Sequence, residues 1–188
     1  MHEIYYFPLV AFITGLWILV RILAYRKSGS FSLSRELQLL LVYVCIVVVA
    51  RFTFFPFSRM NGKIQPLLFD AGRILPLRIN LIPFANLFDY AISGEAMLNV
   101  IGNTAMFLPL GIVFPGVYKG LNTHYKVLAA GAGFSLCIEI LQMAFFDRVT
   151  DIDDLILNTL GYTIGYGIWL LFKIIRKKLA NNQKIPET

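Results

Sequence analysis

NVIGNTAMFLPLGIVFPGVY, residues 99–118, is a run of twenty residues without a charge that opens on two asparagines four positions apart. At 1.5 Å rise per residue it covers about 30 Å, the depth of a bilayer's hydrocarbon core. Four other stretches are as long and as apolar, so the chain reads as five membrane-spanning helices at roughly 4–25, 37–55, 97–118, 127–146 and 154–175. Composition agrees. The chain of 188 residues is 57% hydrophobic and 15% charged, with mean hydropathy +0.69. That is too apolar for a soluble domain of this length. The fold class expected is therefore all-α, a polytopic helical bundle.

The net charge of +6 does not point to nucleic acid, because the basic residues sit at helix ends and in the tail. With the amino terminus outside, 11 of 17 Lys and Arg fall on the inner face, including Arg35, Lys119, Lys126 and the run Arg176-Lys177-Lys178. That bias predicts an N-out, C-in arrangement. The chain divides into a first helix and cytoplasmic loop (1–36), a membrane domain (37–175) and a basic, polar tail (176–188), frayed from Asn181 on. Residues 4–25 follow His2 and Glu3 rather than a basic segment and carry no small-residue cleavage site, so they read as a retained helix. Cys45 and Cys137 read as small buried hydrophobes, with no disulfide or metal spacing. The one long loop, 56–96, is apolar (Leu67, Phe69, Leu75, Leu77, Ile82, Phe84, Leu87, Phe88) and broken by Pro56, Pro66, Pro76 and Pro83. It reads as an extracytoplasmic segment, re-entrant or lying at the interface as a cover over the bundle.

Polar residues interrupt or border the apolar stretches at Arg51, Asn99, Asn103, Glu139, Gln142, Asp154 and Asn158. Such groups are expensive in hydrocarbon and rarely lack a partner or a task. In the N-out arrangement all seven fall in the outer leaflet, with Glu139 about 10 Å below the surface. The i, i+4 pairs Asn99/Asn103 and Asp154/Asn158, and the i, i+3 pair Glu139/Gln142, each share a helix face. Phe107 and Gly111 continue the first row. Gly161 and Gly165 follow the third and allow close helix approach, as do Gly131 and Gly133 in the fourth helix. Arg51 and Glu139 are the expected ion pair. The loop DRVTDIDD, 147–154, offers Asp151, Asp153 and Asp154 as ligands for a hard cation. Capping of the fifth helix by Asp151, with a salt bridge to Arg148, is preferred to a metal. No cofactor is expected. Ser135 has no evident base, and His2 and His124 fall on opposite faces, so neither a Ser-His nor a His-based site is supported.

The order of these motifs is distinctive: Arg51, NLIPF (80–84), NVIGNTAMFLPLG (99–111), EILQ (139–142) and RVTDIDDLILNTLGYTIG (148–165). It resembles the VanZ-like family, named for a teicoplanin-resistance protein, over roughly residues 51–167. The resemblance implies a functional set of Arg51, Asn80, Pro83, Asn99, Asn103, Glu139, Gln142, Arg148, Asp151, Asp153, Asp154, Asn158 and Gly161, with Pro109, Gly111 and Gly165 as structural positions. It also implies a setting at the bacterial cytoplasmic membrane, in low-level resistance to an acylated glycopeptide. The partner expected is a membrane lipid, a lipid-linked cell-wall molecule or the lipoglycopeptide itself, with no nucleic acid. No feature of the chain fixes an oligomeric state. The alternative is an intramembrane enzyme acting on a lipid or cell-wall precursor, with Glu139 as general acid or base and Asp151, Asp153 and Asp154 orienting substrate. A transporter is disfavoured, since no polar row reaches the cytoplasmic half.

Overall fold

Five helices form the protein's core architecture in the computed structural model, which describes residues 2–55, 59–60, 62–70, 72, 78–84, 94–146 and 148–182. They are α1 (Tyr6–Ser28), α2 (Leu33–Phe54), α3 (Gly94–Val117), α4 (His124–Gln142) and α5 (Ile152–Asn182). All five are long and apolar enough to cross a membrane. Large apolar side chains such as Phe7, Leu16, Leu41, Ile101, Leu136, Ile164 and Phe172 lie exposed around the bundle. A surface this apolar suits hydrocarbon rather than water.

The tightest packing is between α3 and α5, which run parallel. A Cβ on Gly161 would run into the Thr104 carbonyl, one on Gly165 into the Leu108 carbonyl, and one on Gly111 into the Tyr162 carbonyl. The two backbones therefore touch directly, as small residues permit in lipid, where packing and hydrogen bonds replace the hydrophobic drive. On α4, Gly131 makes room for the Tyr162 ring. Gly133, expected to do the same, faces open space; it is two residues further round the helix, off the face that α5 contacts. Around this contact Val49, Met106, Phe107, Leu110, Val127, Ile138, Tyr162 and Tyr166 make the buried core. Cys137, expected to be buried, is exposed, beside the apolar Leu136.

α1 is peripheral, with no fully buried residue. It is tied to α2 by the Thr14 and Tyr43 hydroxyls at 2.6 Å and by the Arg21 guanidinium, whose Nε donates to Glu36 at 2.9 Å. Gly29, in the left-handed region at φ 62°, ends α1 by donating to the Tyr25 carbonyl.

Short strands gather at the opposite end of α2. β1 (His2–Ile4) pairs with β4 (Leu67–Phe69), and β2 (Arg59–Met60) with β3 (Lys63–Ile64). β5 (Ile79–Asn80) runs parallel to β6 (Thr150–Asp151). The described parts of the 56–96 loop are thus pinned to the amino terminus and to the segment entering α5. Residues 56–58, 61, 71, 73–77 and 85–93 lie outside the described residues, and with them the cover expected from Leu75, Leu77, Leu87 and Phe88.

Two boundaries differ from the sequence reading. α4 ends at Gln142, not 146, because Asp70 donates to the Ala144 carbonyl and Phe146 to that of Leu68, drawing 143–146 into contact with β4. α5 continues to Asn182, so the first part of the polar tail is helical. Leu179 and Ala180 favour that state.

The α3–α5 contact predicts a contrast on substitution. Gly161→Leu should destabilise the detergent-solubilised chain by at least about 1–3 kcal/mol in thermal unfolding, because neither backbone can yield. Gly133→Leu should change little. Equal effects at the two positions would contradict the packing.

Candidate functional site

The end of the bundle that carries the strands also gathers the buried polar groups. α3 and α5 bring Asn103 to Asp154, with the Asn103 amide donating to the Asp154 carboxylate. One turn along α5, Asn158 is 1% exposed and donates from Nδ2 to Ser135 Oγ on α4 at 3.0 Å. On α4, Gln142 donates from Nε2 to the Thr53 carbonyl of α2 at 2.7 Å. Glu139, 2% exposed, sits in the last turn of α4 rather than two turns inside it, since the helix stops early. Four helices thus supply one polar layer.

The loops close on this layer through backbone and carboxylate contacts. The Asp151 N–H donates to Glu139 Oε2 at 3.2 Å, and Thr150 Oγ1 to the Glu139 carbonyl at 2.8 Å. Asp151 stands at the position before α5, where its Oδ1 accepts the Asp153 N–H at 3.0 Å. That is an N-cap interaction. Its Oδ2 accepts Asn80 Nδ2 at 3.1 Å, and Asn80 Oδ1 in turn accepts the Ile82 N–H at 3.2 Å. Asp153 Oδ1 accepts the Phe84 N–H at 2.7 Å. Phe84 is the only described non-glycine residue at positive φ, 61°. A left-handed conformation is uncommon for a bulky side chain and is sustained where surrounding contacts over-determine it. The NLIPF turn, Pro83 included, is therefore clamped onto the start of α5, with Leu81 and Ile82 each 68% exposed at its tip.

The expected Arg51–Glu139 ion pair is not formed. Arg51 Nη1 donates to the Phe55 carbonyl at 3.1 Å, and its guanidinium lies over the Tyr6 and Phe52 rings at 5.8 and 5.6 Å. The last turn of α2 turns this side chain toward α1, away from α4. Arg148 is also aimed at α2, donating to the Phe54 carbonyl at 2.9 Å from Nη2. It lies close enough to Asp154 to act on it electrostatically. The Glu139 carboxylate instead accepts the Asp151 N–H, at the start of α5. Asn99 is exposed and does not join the layer.

Three buried polar atoms have no partner among the described residues: Gln142 Oε1, Asn158 Oδ1 and the Tyr162 hydroxyl. Two of them are acceptors beside the acidic group. Buried polar atoms without hydrogen bonds are uncommon and call for an explanation. Among the described residues no three His, Cys, Asp or Glu side chains converge as a metal site would require. Ser135 Oγ accepts from an amide, which cannot serve as a base, so the site holds no Ser-base pair.

Three partnerships escaped the sequence reading, those of Thr53, Thr150 and Ser135 (the last weighed only as a nucleophile), and so did the buried Tyr162 hydroxyl. Ser135 carried a usable signal, since it is one turn before Glu139 on the same face of α4. The polar row also runs further than expected, through Tyr162 to Tyr166, whose hydroxyl is 2.9 Å from His124 Nδ1.

A bundle of apolar helices with its buried amides and carboxylates collected at one end defines a multi-pass membrane protein. The chain belongs to the VanZ/LLP1 family, whose model matches residues 40–173, from within α2 to within α5. No curated protein and no solved structure matches the chain significantly.

Asp151→Ala removes the helix cap and the anchor for Asn80 together. We expect a loss of about 0.5–2 kcal/mol and faster amide hydrogen exchange across 78–84, read by mass spectrometry. Unchanged exchange in that segment would show that the clamp does not hold the turn.

Proposed function

We propose that the polar layer binds the head of an amphiphile at the extracytoplasmic face of the membrane, and that the head is rich in hydrogen-bond donors. The observation that carries this reading is the surplus of acceptors. Glu139 is closed off from water with one backbone N–H on it, and Gln142 Oε1 and Asn158 Oδ1 lie unpartnered nearby. Asp154 stands one turn from Asn158 on α5, held by Asn103. A hydroxyl- or amine-bearing head would supply the donors that the unpartnered oxygens lack. An acidic group of this kind repels phosphate, which moves the reading away from a phosphate-led head. The exposed Leu81 and Ile82 would meet the acyl part. Sugar-headed lipids and acylated glycopeptides have this chemistry, and lipid-linked cell-wall intermediates have it in the sugar part beyond their phosphate. Family membership supports the link to teicoplanin tolerance.

The second reading is an enzyme acting on such a molecule, with Glu139 as general acid or base. What favours it is that α4 and α5 each bring a carboxylate, Glu139 and Asp154, to the same polar layer.

An alkyl glucosamine should raise the thermal midpoint of the purified chain, whereas the matching alkyl phosphate should not. Glu139→Gln should weaken that binding at least about tenfold, a loss of about 1.4 kcal/mol. No shift with any amine- or hydroxyl-headed amphiphile would defeat the binding reading. Conversion of the bound molecule by wild type but not by Glu139→Gln would establish the second reading instead. The facing is tested separately: a fluorescent protein fused after Thr188 should fluoresce in cells, and a periplasm-dependent phosphatase fused there should be inactive.

A further inference from the structure

We propose that the opposite end of the bundle holds a second binding site, for the phosphate-bearing headgroup of an anionic phospholipid. This does not rest on the reading of the acidic end. Two cavities open there, of about 930 and 430 Å³, and they share Lys119 and Leu121 in their walls. Arg35 and Lys119 supply charge to the larger, beside Ser32, Ser34 and Gln38. Lys119 and Lys173 supply it to the smaller, beside His124 and Trp169. Neither cavity is lined by a carboxylate. The acid next to Arg35 in sequence, Glu36, is held by Arg21.

Depth places these cations at a headgroup layer. From Leu155 to Phe172 α5 carries no charge, which is 18 residues, or about 27 Å of helix. Lys173 is the first charge after that run. It sits with Nζ 5.1 Å over the Trp169 ring, and Trp169 stacks on Tyr166. Indole and phenol rings with a neighbouring lysine are the arrangement found where hydrocarbon meets headgroups. The Arg35 guanidinium is fixed at the wall of the larger cavity by donating to the Val117 carbonyl.

The ligand class follows from the walls. A guanidinium and ammonium groups without a competing carboxylate suit phosphate oxygens. Phe114, Val117 and Leu121 line the same space, and a free anion would leave them unused, whereas the glycerol and upper acyl carbons of a lipid would cover them. Basic pockets between membrane helices are a recurrent solution for anionic headgroups.

The test is native mass spectrometry of the full chain in detergent, titrated with phosphatidylglycerol, phosphatidylcholine or soluble glycerol phosphate. Phosphatidylglycerol should be retained at least about tenfold better than phosphatidylcholine, and glycerol phosphate should bind far more weakly than the lipid. Lys119→Ala combined with Lys173→Ala should weaken phosphatidylglycerol by about twenty-five-fold, at roughly fivefold per juxtamembrane cation. Circular dichroism should show wild-type helicity for that variant. Lys177→Ala with Lys178→Ala, beyond the cavities on the same helix, should retain binding. Equal retention of both lipids, glycerol phosphate binding as tightly as the lipid, or equal loss from the Lys177/Lys178 variant would each overturn the proposal.

Discussion

Everything in this bundle depends on two helices being able to touch backbone to backbone. Gly111 on α3 and Gly161 and Gly165 on α5 leave no room for a Cβ between the chains. In lipid there is no hydrophobic gain from bringing helices together, so close approach and the contacts it allows must supply the association. The approach also sets the register of the polar groups. It puts Asn103 against Asp154 and turns Asn158 toward Ser135 on α4. A looser α3–α5 pair would separate these partners, and the acidic layer would lose its depth in the bundle.

The resulting molecule is polarised. At the strand-bearing end, Glu139, Asp151, Asp153 and Asp154 collect under a turn held in a left-handed conformation at Phe84. At the other end, Arg35, Lys119 and Lys173 line cavities without a carboxylate. We therefore propose opposite ligand chemistries for the two ends, hydrogen-bond donors at one and phosphate at the other. Between them Asn158, Tyr162 and Tyr166 continue one face of α5 through the core, so the ends are joined by a polar row rather than separated by a purely apolar one.

Much of this was legible in the sequence. Five long apolar stretches read as five helices, and the i, i+4 spacing of Asn103/Phe107/Gly111 and of Asp154/Asn158 gave the faces that meet. Pairing across helices was harder to read. Charge complementarity suggested Arg51 with Glu139, yet spacing along α2 does not say which neighbour the last turn faces, and Tyr6 and the Phe55 carbonyl take that guanidinium. The end of α4 was misplaced because its stop comes from β4, a contact between residues more than seventy positions apart. The strand pairs β1–β4 and β5–β6 are two or three residues long, too short to leave a period-2 pattern. Asn99 kept the periodicity of a site residue and still lies exposed outside it, since periodicity gives a face but not which neighbour covers it.

The central claim is that Glu139, Gln142 and Asn158 form an acceptor-rich recess for the donor-bearing head of an amphiphile. A density map of the full chain reconstituted with a sugar-headed lipid tests it most directly. The account predicts a head group within hydrogen-bonding distance of Glu139 and of the Gln142 and Asn158 side-chain oxygens, with its acyl chain running past Leu81 and Ile82. A map in which α3 and α5 pack as described, while those three side chains bond only to protein, would contradict it.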